Sequence, residues 1–226
     1  MVYILLSVAI GYVFGCFLTA YFIAKRFTGK DIADIGSGNP GMANIMSNVG
    51  KIPGVIVLVG DITKTFLAMG ITNLLFTEQI GSYAMVFAGL GVLLGHNFPI
   101  WRRFKGGKGV AVTCAWIIAL MPFGGVVSAV SGGIITILTG LLPLGAVAIT
   151  VFAIPFGFIE YDRITGLVMV ISALIMIYRN YSGFINGFKN LEERKFNRKR
   201  NKLNTICSII VGIITMLLII VDYFLF

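Results

Sequence analysis

The residues with the most concentrated capacity for chemistry form one stretch, Gly95-His96-Asn97-Phe98-Pro99-Ile100-Trp101-Arg102-Arg103-Phe104-Lys105-Gly106-Gly107-Lys108-Gly109-Val110. Lys105 and Lys108 alternate with Gly106, Gly107 and Gly109, so ammonium groups and closely approachable backbone amides converge where a helix should start at Val110. That combination suits a phosphate or an acyl phosphate. The spacing is not GxxxxGK[ST], which argues against nucleotide hydrolysis. As topological anchors alone, Arg102, Arg103, Lys105 and Lys108 would need no glycines between them. His96, the only histidine of the chain, sits beside Asn97 and is a candidate general base, with a structural role as the equal alternative.

A second stretch, Asp34-Ile35-Gly36-Ser37-Gly38-Asn39-Pro40-Gly41-Met42-Ala43-Asn44, places three glycines and two asparagines in a loop. Consecutive amides in such a loop can form an anion-binding nest, and Ser37 and Asn39 add side-chain donors. A flexible connector is the plain alternative. Asp61 and Lys64 stand at i, i+3 inside an apolar helix, where charges are costly; a structural ion pair is favoured slightly over direct catalysis. Arg179 to Glu193 offers Arg179, Asn180, Asn186, Lys189, Asn190, Glu192 and Glu193, with the composition of a polar loop.

The elements that position these residues are membrane spans. Of 226 residues 58% are hydrophobic and 12% charged, against roughly 45–50% and 25% in soluble domains. Apolar stretches run at 2–24, 54–76, 81–100, 110–130, 133–158, 164–178 and 204–226, so the expectation is an all-α, polytopic integral membrane protein of about seven helices. Lys25 to Lys51, Trp101 to Gly109 and Arg179 to Lys202 hold nearly all the cations, which makes them three basic cytoplasmic loops. Two such loops on one side require an even number of crossings between Gly109 and Arg179. Three apolar stretches lie there, so one should be short or re-entrant. The interrupted 133–158 stretch and the short 164–178 stretch are the candidates. Residues 1–203 read as one membrane domain and 204–226 as an additional C-terminal helix.

The net charge of +9 resides in these loops, so nucleic acid is not an expected partner. The 194–200 block reads as an anchor for anionic membrane lipids. Cys16, Cys114 and Cys207 lie in apolar segments without metal-ligand spacing, and no metal site is expected. Nothing in the sequence sets an oligomeric state.

Ser37 through Asn44, and Gly95 through Pro99 with Phe104 through Ala111, resemble the first two motifs of the PlsY-type bacterial glycerol-3-phosphate acyltransferases. Asp61 and Lys64 resemble that family's polar pair. The resemblance implies transfer of a fatty acyl group from acyl phosphate to glycerol 3-phosphate, giving lysophosphatidate without a cofactor, in the bacterial inner membrane. It also implies roles. His96, Asn97 and Ser37 would be catalytic. Gly38, Asn39, Gly41, Asn44, Lys105, Gly106, Gly107, Lys108, Gly109 and Arg179 would bind substrate or phosphate, with Asp61, Lys64 and Glu192 in support. The chain departs from the family pattern at Ala43, Ser47, Asn180, Gly183 and Asn186. Two alternatives therefore stand beside the acyltransferase: an acyl-phosphate-dependent transfer to another acceptor, and a non-enzymatic transporter or lipid-binding membrane protein.

Overall fold

The computed structural model describes residues 1–193, and among them every regular element is helical. Six helices are long and apolar enough to cross a membrane: Val2–Thr28, Lys51–Ile80, Tyr83–Arg102, Pro122–Thr139, Leu142–Tyr161 and Arg163–Phe188. The chain divides into two compact units, Met1–Leu120 and the residues from Met121 onward. The expected helix at 204–226 and the basic block at 194–200 lie outside the described residues.

The first unit is built on a backbone-to-backbone contact between α1 (Val2–Cys16) and α5 (Tyr83–Asn97). Gly11 and Gly15 face Gly91 and Gly95, each pair four residues apart. A Cβ added at any of the four would run into a carbonyl of the opposite helix: Ala88, Val92, Val8 and Tyr12 respectively. Membrane helices lack a hydrophobic force between them, and small residues at this spacing let backbones approach closely enough for dispersion to hold them. α4 (Lys51–Ile80) packs against both, and α2 (Thr19–Thr28) continues from α1 after a break at Phe17 and Leu18. α3 (Met42–Asn48) rests on α4, where Gly54 lies against Met46. α6 (Val110–Leu120) inserts the fully buried Trp116 against Gly89 of α5.

The second unit stacks α7 (Pro122–Thr139) on α8 (Leu142–Phe156) and α8 on α9 (Arg163–Glu193). Gly132 and Gly145 again permit close approach, and a π-helical turn at Gly157–Tyr161 follows the interior Pro155.

Three expectations change. The half-length helix is Val110–Leu120, not the 133–158 or 164–178 stretch. Its 11 residues span about 16 Å of a ~30 Å hydrocarbon core. The cause is Pro122, which starts α7 and forces Met121 out of helical geometry (φ −130°, ψ 86°). The 164–178 stretch is instead the middle of the 31-residue α9. Third, Arg179 to Glu193 is part of a helix, not a loop; Tyr181, Ile185 and Phe188 continue the helical spacing of apolar residues beyond the 164–178 stretch.

Replacing Gly95 with Ala should lower thermal stability in detergent by about 1–3 kcal/mol, because the added methyl meets main chain that cannot rotate away. Gly70→Ala, in open space on α4, should leave the melting temperature unchanged or raise it.

Candidate active site

At Phe17 and Leu18 the backbone is extended (ψ 101° and 94°), so the carbonyls at the end of α1 lose their helical partners. Two side chains replace them. The Lys64 Nζ donates to Phe17 O at 2.8 Å, with Gly15 O at 3.5 Å, and the Trp101 indole donates to Cys16 O at 2.8 Å. Lys64 also pairs with Asp61 at 2.8 Å, and its Nζ lies 2.9 Å from His96 Nδ1. Thr19 donates to Asp61 Oδ1 at 3.2 Å. Asp61, Lys64 and His96 are 2%, 4% and 3% exposed, so this is a closed polar network inside the first unit. Removing one partner of such a pair leaves an uncompensated buried charge, a loss of about 3–5 kcal/mol. The i, i+3 spacing of Asp61 and Lys64 foretold their pairing; their attachment to α1 and His96 was not foretold.

The network sits beneath the glycine–lysine loop. Gly106 donates to Asn97 O at 3.1 Å and Gly107 to His96 O at 2.9 Å, tying the loop's exit to the end of α5. A Cβ at Gly106 would strike the His96 carbonyl, and one at Gly107 the His96 ring, so glycine is required at both. Between these ties the chain makes a 3₁₀ turn at Ile100–Arg102, then two non-glycine residues in left-handed conformation, Arg103 (φ 52°) and Phe104 (φ 60°). Tyr12 donates to Phe98 O at 2.7 Å and steadies the loop's entry. The loop ends where α6 begins: Thr113 N–H bonds Gly109 O at 2.9 Å, and the earlier amides of that helix lack intrahelical partners. Lys105 is exposed and Lys108 half-buried on this rim.

Of the four cations here, Arg102 is committed elsewhere. Its guanidinium makes a two-pronged bond to Asp31 (2.9 and 3.0 Å) and lies 5.0 Å over the Tyr21 ring. Asp31 also accepts from Ala33 N–H and opens the 3₁₀ turn at Ile32–Asp34, which leads into the first loop. Arg102 therefore clasps the two loops together.

In the first loop, whose sequence admits either an anion-binding nest or a flexible connector, four amides have partners within the fold. Ser37 N–H donates to Asn44 Oδ1 (3.0 Å), Gly38 N–H to Ile35 O (2.9 Å), Asn39 N–H to Ser37 Oγ (3.4 Å) and Gly41 N–H to Asn39 O (2.9 Å). Gly36 and Gly38 adopt φ 53° and 70° to make these turns. Asn44, buried on α3, also donates to Ile35 O at 2.8 Å and so braces the loop from within. The Ser37 side chain is exposed and that of Asn39 half-buried at the loop surface. Asn97 is fully buried with neither its amide donor nor its acceptor satisfied, unlike almost all buried polar groups. Arg179 and Glu192 belong to α9, in the second unit. On that helix Asn180 turns its amide back onto Met176 O at 3.0 Å.

Sequence reasoning missed the α1–α2 break, since no proline or glycine stands at Phe17 or Leu18. It also missed the paired glycines of α1 and α5, whose spacing of four was a legible signal.

The model of a family described as glycerol-3-phosphate acyltransferase matches residues 5–189. The chain belongs to the glycerol-3-phosphate acyltransferase family. Among its relatives, Glycerol-3-phosphate acyltransferase 1 of Lactobacillus johnsonii is 36% identical over 83% of this chain and 90% of its own length. The protein of the same name from Lactobacillus acidophilus is 36% identical over 79% of this chain and 85% of its own. The fold is similar to the crystal structure of PlsY (YgiH), an integral membrane glycerol 3-phosphate acyltransferase, in its glycerol 3-phosphate form. The TM-score is 0.73 and the identity 28%, covering 83% of this chain and 92% of that one. The family pattern thus extends over both units.

Arg102 holds the Asp31 carboxyl below its usual range, chiefly through the guanidinium hydrogen bonds. A lowered carboxyl stabilises the folded state above the unfolded value of about 3.9 and loses that contribution as pH falls below it. Thermal unfolding of the intact protein should therefore fall more steeply between pH 5 and pH 3, taken as about one unit either side of that value, than unfolding of Asp31→Asn. With Asp31 more than a third exposed, the difference should stay under about 1 kcal/mol.

Proposed function

We propose that this chain transfers a fatty acyl group from acyl phosphate to the 1-hydroxyl of glycerol 3-phosphate, releasing lysophosphatidate and inorganic phosphate, in the bacterial inner membrane. The observation that carries the reading is the glycine–lysine loop, folded back by its Gly106 and Gly107 bonds so that Lys105, Lys108 and the start of α6 share one rim. Ammonium groups and a helix N-terminus are the partners a phosphoryl group needs. Membership of the family, and the names of the relatives, support glycerol 3-phosphate as the acceptor.

Acyl phosphate is already activated, so the protein's task is to hold two anions together and stabilise the oxyanion that forms at the acyl carbon. The acceptor oxygen bonds that carbon, the bond from carbon to phosphate oxygen breaks, and the hydroxyl proton departs on the phosphate, which leaves as hydrogen phosphate. No covalent enzyme intermediate is needed. Ser37 and Asn39 offer donors from the loop that Arg102 clasps to this rim. Asn97 offers a buried amide that a substrate oxygen or its bound water would satisfy.

Purified protein in lipid nanodiscs should convert acyl phosphate and glycerol 3-phosphate to lysophosphatidate. Lys105→Ala and Lys108→Ala should each reduce kcat/KM by roughly 10–150-fold, the loss of one charged hydrogen bond. Intact acyl phosphate at saturating wild-type protein would refute the reading, and consumption of a different hydroxylated acceptor would redirect it. Asn97→Leu should cut activity while leaving the melting temperature equal or higher, because it removes an unsatisfied buried amide worth about 1–3 kcal/mol.

A further inference from the structure

Resting on the acyl-transfer reading above, we propose that Arg102 and Asp31 are positioning residues that touch neither substrate: their two-pronged pair sets the distance between the glycine–lysine rim and the loop of Ser37 and Asn39, and so governs turnover with both substrates bound.

The guanidinium is held on three sides. Its Nη1 donates to Asp31 Oδ2 at 2.9 Å and its Nη2 to Asp31 Oδ1 at 3.0 Å. Its Cζ lies 5.0 Å from the centre of the Tyr21 ring and 5.8 Å from that of Trp101. Those two rings meet edge to face at 5.2 Å, and the Trp101 indole is itself tied to Cys16 O. A planar fork matched to a carboxylate and stacked on aromatic rings has one geometry, which a lysine ammonium could not reproduce. Main chain carries that geometry to the rim: Lys105 N–H donates to Arg102 O at 3.1 Å and Phe104 N–H to Pro99 O at 3.0 Å. The turn between them passes through Arg103 and Phe104 in left-handed conformation, which non-glycine residues keep only where their surroundings impose it.

Asp31 transmits the same constraint to the first loop. Its Oδ1 also accepts from Ala33 N–H at 2.9 Å and opens the turn at Ile32–Asp34. Ile32 and Ile35 are buried with Ala20, Ala24, Ile45 and Val57, so the base of the loop is seated in the core while the carboxylate fixes its direction. Magnitudes decide what the pair is for. With side chains 19% and 37% exposed, it adds little to stability. Rates answer to geometry far more steeply, since a misplacement of about 1 Å can cost on the order of 10²-fold. Each substrate alone still meets the donors of its own loop, so the loss belongs in kcat and not in KM.

The test is a double-mutant cycle on full-length protein in nanodiscs, read in kcat, KM, melting temperature and amide hydrogen exchange. Arg102→Leu should lower kcat by roughly 30–100-fold, Asp31→Asn by at least about 10-fold, and Arg102→Lys by an intermediate amount. The Arg102→Leu/Asp31→Asn double variant should be no worse than Arg102→Leu, because both remove one contact. KM for acyl phosphate and for glycerol 3-phosphate should each stay within about 3-fold, and the melting temperature within about 4 °C. Amides 36–41 should exchange at least about 5-fold faster in Arg102→Leu. A raised KM for acyl phosphate in Arg102→Leu with Asp31→Asn unaffected would make Arg102 a phosphate ligand and overturn the proposal. So would multiplying losses in the double variant, unchanged exchange at 36–41, or a fall in kcat matched by a large fall in melting temperature. Failure of the wild type to form lysophosphatidate would instead refute the acyl-transfer reading, and the exchange comparison would still decide whether the pair holds the first loop.

Discussion

An ammonium group buried within membrane helices must find an acceptor for each of its hydrogens, and Lys64 finds them on three separate parts of the first unit. Phe17 supplies the frayed end of α1, Asp61 the same helix one turn earlier, and His96 the end of α5. Each component would be unfavourable alone: a broken helix with exposed carbonyls, a charge far from water, a polar ring with no outlet. Together they satisfy one another, which is why the break in the first span persists without a proline or glycine to impose it. The glycine–lysine loop is then hung from this knot through two glycine amides and one arginine clasp.

The knot closes only because α1 and α5 come within backbone contact. His96 follows Gly95 directly, and Gly95 lies against Tyr12 and Cys16 at the end of α1. A bulkier residue at Gly15, Gly91 or Gly95 would separate the helices and carry His96 away from Lys64. Packing between the two helices thus sets a hydrogen-bond length within this network.

Much of this was legible in the sequence, and the reasons for the exceptions are physical. Hydropathy found the all-helical membrane architecture, because twenty apolar residues in a row have few other uses. The glycine–lysine loop stood out because neither topology nor flexibility alone calls for that alternation. The half-length helix was misplaced because 110–130 is apolar throughout, and only Pro122 marks the division. The third basic segment was read as a loop on polarity, although its apolar residues keep helical spacing. In the first loop, composition left a nest and a flexible connector open, and it could not reveal that Asn44 and the turns engage the amides of residues 37, 38, 39 and 41. Nor could spacing announce that Arg102, one of four neighbouring cations, belongs to Asp31.

The internal bonding of the two loops has a consequence for how substrates are met. A glycine-rich loop that waits for its ligand to order it surrenders conformational entropy at binding, and affinity falls accordingly. Here the amides of residues 37, 38, 39 and 41, and those of Gly106 and Gly107, already have partners within the fold. The ordering has been done during folding, so these two loops are held before any ligand arrives. Rigidity of that kind favours speed with one pair of ligands over tolerance of many.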